Sequence, residues 1–360
     1  MSRPTRAHIH LPAFQHNLQQ VRNVAAGRRV WAVIKANGYG HGILGAAAGL
    51  QQADGFAVAS LEEALVLRDA GFNQPILLLE GIFEAGELTT VATQGISIVV
   101  HHEDQLAVLE RATGNLPVPV WLKLDTGMHR IGFPPKRAAD AWQRLQSCEA
   151  VAESPGLMTH LANADDRDDD ATPRQLAEFA KATTGMDAER SMANSAGVLG
   201  WPEAHGDWVR PGIMLYGICP FVSGTGGEHG LQPAMTLSTK LIAVNRIRRG
   251  EGVGYGGTWV CPEDMDVGVA AIGYGDGYPR HAPSGTPVLV NGQRVPLVGR
   301  VSMDMITVDL RTRPAARPGD PVVLWGEGLP VEEIASQAGT IAYELVCGVT
   351  PRVAVETTES

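Results

Sequence analysis

Short apolar runs, each followed by a polar or glycine-containing break, set the rhythm of the first two thirds of the chain. They are Val30–Ile34, Phe56–Ala59, Ile76–Leu79, Ile96–Val100, Val120–Leu124, Leu157–Thr159, Ser191–Ala193 and Trp208–Val209. Each is too short for an ordinary helix, and the first is β-branched enough to predict a buried strand. Between most of them lie stretches with helical character, such as Leu61–Ala70 and Gln105–Ala112. Eight strand and helix units are the number that closes a parallel barrel, so residues 1–230 predict an α/β domain built as a (β/α)8 TIM-type barrel. Ahead of the first unit, His8–Leu11 reads as a strand. Pro12 then suits a first helical turn, and Phe14, Leu18 and Val21 continue a helix toward Gly27.

The pattern changes after Gly224–Gly230, a glycine-rich loop without a large apolar side chain. Met235–Val244, Val267–Ile272, Pro287–Val290, Arg294–Val298, Met305–Leu310 and Pro321–Trp325 alternate with turn residues, and Asn291-Gly292 is a strong hairpin signal. Residues 231–360 therefore predict a mostly-β domain, interrupted by one short helix at Val331–Ala338. Glu356–Ser360 is expected to be a frayed tail.

Composition narrows the class. With 360 residues and 44% hydrophobic content the chain can bury a large core. A formal net charge of −10 disfavours a general role on nucleic acid or an anionic membrane, which call for a basic face. Cys148, Cys219, Cys261 and Cys347 are widely spaced and form no zinc or redox motif, and no metal is expected. Reduced thiols, together with the lack of an apolar stretch suited to a secretory signal or a membrane span, predict a cytoplasmic protein.

Candidate chemistry gathers at the predicted C-terminal ends of the barrel strands, where such barrels place their active sites. Lys35 follows the first of them and precedes Gly38, Tyr39, Gly40 and Gly42, a loop able to approach a ligand closely. Taken alone, Lys35 is either a reactive amine or an ordinary lysine reaching water. Arg130 lies beyond Val120–Leu124, where its planar fork could hold a carboxylate or close a salt bridge within its own loop. His160 follows Leu157–Thr159; a lone histidine there is as readily a satisfied core residue. Ser195 and the stretch Arg210 to Ile213 follow the last two strands, and their small residues and backbone N–H groups suit a phosphate cradle. The acidic run Asp165–Asp170 lacks the spacing of a calcium loop and reads as a solvated loop. His101 and His102 carry no signal, because adjacent strand side chains point to opposite faces.

In order along the chain stand V-I-K-A-N-G-Y-G-H-G, D-T-G-M-H-R-I-G-F, T-H-L-A-N-A-D, N-S-A-G, V-R-P-G-I-M-L-Y-G, V-G-Y-G-G-T-W, G-Y-G-D-G-Y-P-R, V-S-M-D-M and A-Y-E-L-V-C. Through these motifs the sequence resembles the alanine racemases, fold-type III pyridoxal-phosphate enzymes that interconvert L- and D-alanine. Leu78-Leu79-Glu80-Gly81 is similar to the catabolic proteobacterial branch. The resemblance implies that Lys35 bonds the cofactor and that Arg210 faces its pyridine nitrogen. It implies phosphate contacts from Tyr39, Ser195, Gly212, Ile213 and Tyr343, and a histidine, His160, against the ring. Arg130 would stand near the cofactor's phenolic oxygen and the substrate carboxylate. Lys123 matches a lysine that is carbamylated in some members and helps place that arginine.

The same resemblance makes Tyr255 the second catalytic base, supplied by the other subunit of a head-to-tail homodimer. Without it, a tyrosine among glycines is more simply a turn residue. Met303, Tyr274 and Asp304 match positions lining the substrate site or its entrance from the partner chain. Ser302 stands where some relatives carry cysteine. Moving a Cα proton from one face to the other calls for two acid/base groups on opposite sides, which Lys35 and Tyr255 would be. A broad-spectrum amino-acid racemase shares nearly all these residues. A pyridoxal-phosphate decarboxylase lacks this tyrosine context, and a vitamin B6 carrier lacks the β domain.

Overall fold

The computed structural model describes residues 3–112 and 117–358. β1 (Arg6–His10) leads into a helix, Leu11–Val24, with Pro12 in its first turn and Phe14, Leu18 and Val21 on its buried face. Eight parallel strands then close a barrel: β2 (Arg29–Val33), β3 (Gly55–Val58), β4 (Ile76–Leu78), β5 (Ile96–Val100), β6 (Val120–Lys123), β7 (Gly156–Met158), β8 (Arg190–Ser191) and β9 (Trp208–Val209). Closure is made by β2 on β9, with Arg29 opposite Trp208 and Val30 opposite Val209. All eight expected strands are present, displaced by a residue or two at their ends.

The barrel is filled from below. Trp31, Trp121 and Trp208 pack inside it with Val33, Ala57, Leu77, Val99 and Met158. The Trp31 and Trp208 rings stack with centroids 4.3 Å apart. Glycines make room: a Cβ at Gly55 would sit 2.2 Å from the Trp31 ring, and one at Gly156 2.4 Å from the Trp121 ring. Burying such side chains stabilises the fold by about 1.5–3 kcal/mol each. It also plugs the N-terminal half of the barrel, so the open space lies at the other end, where the strands deliver their chemistry.

A turn at Gly226–His229, capped by Thr225 and Glu228, leads out of the barrel region. The second domain contains β10 (Met235–Ile247), β11 (Gly252–Val253), β12 (Trp259–Val260), β13 (Met265–Ala270), β14 (Pro287–Val290), β15 (Gln293–Pro296), β16 (Ile306–Asp309), β17 (Pro321–Trp325) and β18 (Ala354–Thr358). β14 and β15 form the expected hairpin, Asn291 and Gly292 both having positive φ (49° and 73°) as a tight primed turn requires.

Three features differ from the sequence reading. β1 does not belong with the barrel: it pairs antiparallel with β10 and parallel with β18, so the chain starts in the β domain and then crosses into the barrel. The tail is not frayed up to Thr358, because that strand finds its backbone partners in β1 and an ion pair, Arg6 to Glu356, at 2.8 Å; residues 359–360 lie outside the described ones. Finally, Val331–Ala338 is followed by a second helix, Ala342–Cys347. No helix among the described residues is long and apolar enough to cross a membrane.

Candidate active site

Lys35 opens a turn, Lys35–Tyr39, in which the backbone is left-handed: φ is 53° at Ala36, 52° at Asn37, 60° at Gly38, 49° at Tyr39 and 78° at Gly40. Each non-glycine residue in that region costs on the order of 1–2 kcal/mol, so three of them within four residues, Ala36, Asn37 and Tyr39, must be held from outside. Glu63 accepts hydrogen bonds from the Ala36 and Ala59 N–H groups at 2.7 and 2.8 Å, and the Asn37 side chain accepts from Ile43 N–H at 2.9 Å. At Gly40 a Cβ would lie 2.0 Å from the Val346 carbonyl oxygen, so the turn is pressed against the helix that carries Tyr343. The strained turn is thus fixed on two sides, and both Lys35 and Tyr39 line the space above the tryptophan plug.

That space is a cavity of about 590 Å³. It gathers ten of the residues picked from the sequence: Lys35, Tyr39, Lys123, Arg130, His160, Ser195, Arg210, Gly212, Ile213 and Tyr343. Val33 and Met158, the top of the barrel core, form its floor. Of the charged residues lining it, four are basic and only Glu80 is acidic. The site is built for an anion.

Arg210 is the buried centre of this charge. Its guanidinium donates to Ser191 Oγ at 2.6 Å and to the Thr159 carbonyl at 2.5 Å, and lies 3.5 Å from His160 Nδ1. Burial lowers its pKa to about 10, which leaves it cationic at neutral pH. Burial first, and then the charges of Arg210, Lys123, Arg130 and Lys35, push His160 well below the usual imidazole value, so its ring is neutral and can accept from Arg210. The His160 carbonyl is held by the Gln175 amide at 3.0 Å. Lys123 is lowered to about 7, mainly by burial and then by Arg210, Arg130 and Lys35.

Beside Lys35 in the closed barrel, the segments that follow β8 and β9 are joined by one hydroxyl. Ser195 Oγ accepts from the N–H groups of Gly212 (2.8 Å) and Met214 (3.3 Å), leaving its proton to donate. Asn194 caps the helix that Ser195 begins, accepting from Gly197 N–H at 2.9 Å. Gly212 has a local reason to be glycine: a Cβ there would fall 2.5 Å from the Tyr39 hydroxyl oxygen. Burial raises the pKa values of Tyr39 and Tyr343, so both are neutral hydroxyl donors.

Tyr255, Tyr274, Met303 and Asp304 do not line this cavity; they lie on the β domain. Tyr255 stands in a turn between β11 and β12, flanked by Gly254 and Gly256 in left-handed conformations, and is 68% exposed. Met303 is 52% exposed and Tyr274 41%. Within one chain the two sets of predicted residues do not meet.

Two lining residues were not picked as site residues from the sequence. His101 follows β5 and faces the cavity, its Nε2 paired with the Glu80 carbonyl at 2.9 Å, while His102 caps the next helix. The alternation that made the pair uninformative in fact sends one of them inward. Glu80 follows β4 in the same way. The acidic loop ties its carboxylates locally, Asp169 to Asn163 at 2.7 Å and Asp170 to Arg174 at 3.0 Å, and no cluster able to hold a metal occurs among the described residues.

A closed parallel barrel with a cationic cavity at its C-terminal mouth, joined to a β domain with exposed aromatic turns, defines a two-domain barrel enzyme. Family models of the alanine racemase N-terminal and C-terminal domains match residues 9–220 and 234–357, and the chain belongs to the alanine racemase family. It is 58% identical to an alanine racemase of Nitrosococcus oceani over 345 residues, 96% of this chain and 97% of that one. It is 53% identical to one of Halorhodospira halophila over 354 residues, 98% and 97% of the two chains. Among solved structures, the biosynthetic alanine racemase of Pseudomonas aeruginosa superposes with a TM-score of 0.96 at 46% identity, covering 99% of this chain and 100% of that one. That structure is named biosynthetic, so the catabolic branch read from Leu78–Gly81 draws no support from it.

Proposed function

We propose that the chain interconverts L- and D-alanine with pyridoxal 5′-phosphate, as a cytoplasmic head-to-tail homodimer that provides D-alanine for peptidoglycan or converts the enantiomers in alanine catabolism. The observation that carries this is the division just described: a buried cationic cavity with Lys35 at its rim, and the second expected base exposed on the other domain of the same chain.

The residues present fit the cofactor. Four basic residues against one acid suit a ligand bearing a phosphate together with a substrate carboxylate, and the Ser195 hydroxyl and the Tyr39 hydroxyl, for which Gly212 leaves room, are donors suited to a phosphate. Lys35 would bond it; Tyr39, Ser195, Gly212, Ile213 and Tyr343 would hold its phosphate; Arg210 and His160 would flank its ring. When bound, pyridoxal phosphate supplies the electron sink that makes the alanine Cα–H acidic.

The chain's own groups then divide the work. Lys35 Nζ takes or returns the Cα proton on one face, and the phenolic oxygen of Tyr255 of the partner subunit does so on the other. Arg130 holds the substrate carboxylate from the β6 loop. Arg210, cationic at neutral pH, keeps a positive charge in the cavity and holds neutral His160 in place. Lys123, with a pKa of about 7, is neutral in a large fraction of molecules and open to carbon dioxide, and its carbamate would orient Arg130. Tyr343, with the partner's Tyr255, Tyr274 and Met303, limits the space for side chains longer than a methyl, worth about 1–3 kcal/mol per methylene.

The test is an exchange assay in D2O with pyridoxal phosphate and, separately, L-alanine, L-serine, L-lysine and L-arginine. Deuterium at Cα with formation of the D-enantiomer, strongest for alanine and absent in Lys35→Ala, is expected. Carbon dioxide release, equal turnover of the basic amino acids, or cofactor binding without turnover would each replace this reading with the decarboxylase, the broad-spectrum racemase or the carrier.

A further inference from the structure

Asp276 is a buried carboxylate outside the cavity. It ends the turn Tyr274–Asp276 and has no exposed surface. A carboxylate so placed is tolerated only when paired, and its partners come from the two extremes of the chain. Arg3 Nη2 donates to it at 2.7 Å, Arg352 Nε lies 3.5 Å away, and the Gly273 N–H donates at 3.0 Å. Both arginines continue to a second loop: Arg3 Nη2 donates to the Asp304 carbonyl at 2.9 Å, and Arg352 Nη2 to the Asp304 carboxylate at 2.5 Å.

The backbone follows the charges. Tyr274 N–H donates to the Ser302 carbonyl at 3.0 Å and Gly275 N–H to the Met303 carbonyl at 2.9 Å. There is no room to slide, since a Cβ at Gly273 would meet the Ser302 and Met303 carbonyl oxygens at 2.2 and 2.4 Å. On the other side the Asp276 carbonyl accepts from Thr350 N–H at 3.1 Å, and the Thr350 hydroxyl donates to the Gly275 carbonyl at 2.9 Å. The Tyr274 turn and the Met303 loop therefore form one rigid unit. Tyr274 and Met303 are 41% and 52% exposed, so their direction is set by the backbone beneath them rather than by packing around them.

We infer that Asp276 is a positioning residue for the racemase site: with Arg3 and Arg352 it locks the Tyr274 turn to the Met303 loop and aims both side chains at the partner subunit's cavity. This rests on the head-to-tail reading above. None of Arg3, Asp276, Asp304 and Arg352 lines the cavity of its own chain, so an effect on turnover would reach a site through the Tyr274 turn and the Met303–Asp304 loop. Misplacing substrate-contacting groups weakens alanine binding more than it alters proton transfer by Lys35 and Tyr255.

Hybrid dimers test it. One chain carries Lys35→Ala, the other Tyr255→Phe, and their hybrid holds one intact site, made of Lys35 from the second chain and the β domain of the first. Asp276→Asn is added to either chain of the holoenzyme. On the Lys35→Ala chain, which donates Tyr274 to the intact site, it should raise the alanine KM about tenfold with kcat within about threefold. On the Tyr255→Phe chain both constants should stay unchanged. Arg3→Gln, a substitution of a partly exposed side chain, repeats the test without a change inside the buried turn and should give about a threefold rise in KM on the same chain only. Equal effects on both chains, or none on either, would overturn the role of Asp276 while leaving the dimer reading intact. Absence of activity in the unmodified hybrid, with subunit exchange demonstrated, would overturn the dimer reading and the inference with it.

Discussion

The barrel mouth and the β-domain turns are both glycine-rich and both carry a residue expected to move a proton, yet they are built in opposite ways. Around Lys35 the backbone is forced into a left-handed turn and pinned by Glu63, Asn37 and the Val346 carbonyl, and the charged groups beyond it are buried against one another. Around Tyr255 left-handed conformations fall on Gly254, Gly256 and Gly257, which adopt them freely, and the side chain stands in solvent. The first region is shaped by its own chain. The second leaves aromatic and methionine side chains exposed at Tyr255, Tyr274 and Met303, which fits the proposed docking of a second copy.

That contrast is broken most severely at its two poles. Lys35→Ala should lower alanine turnover by at least about 10³-fold and remove the covalent cofactor bond, read as loss of its absorbance band after gel filtration. Tyr255→Phe should reduce turnover by about 10²–10³-fold while leaving cofactor content unchanged, because none of the cavity groups proposed to hold the cofactor is altered. If Tyr255→Phe also stripped the cofactor, the two regions would not be separable in this way.

Smaller substitutions sharpen the contrast. Gly212→Ala places a methyl where the Tyr39 hydroxyl now lies, and should weaken pyridoxal-phosphate affinity about tenfold by titration, with little loss of fold stability by thermal melt. Lys123 gives an effect read on stability alone, with a sign that can be worked out. Its folded pKa of about 7 lies below the free-lysine value of about 10.4, so between those values the unfolded chain binds the extra proton and stability rises with pH. In carbonate-free buffer the stability of the natural chain relative to Lys123→Met should improve by about 2 kcal/mol from pH 7 to pH 9, measured by denaturant midpoints. A flat difference would mean that folding does not lower the pKa of Lys123.

The barrel was legible because its signal is local: eight apolar runs of strand length, each ending in polar or glycine residues, survive in the structure almost unchanged. The errors lie where pairing is remote. Glu356 to Thr358 look like a polar tail, and only β1, some 350 residues away in the chain, turns them into a strand. Ala342–Cys347 is too short for a periodic signal, yet it seats Gly40 and carries Tyr343. At the site, the residues following strand ends were visible from the strand pattern, and so in principle was His101, which needed only the inward phase of β5 to be followed one residue further. The network around Asp276 was not legible, since Arg3 and Arg352 meet only in three dimensions.

The most direct test of the account is subunit complementation. Lys35→Ala and Tyr255→Phe chains, each inactive alone, are mixed under conditions that exchange subunits, and alanine racemisation is followed. Random pairing makes half of the dimers hybrids with one intact site of two, so recovery to about a quarter of natural activity is predicted. Activity that stays at the level of the separate variants after proven exchange would mean that the two regions meet within one chain, and would contradict the division of labour proposed here.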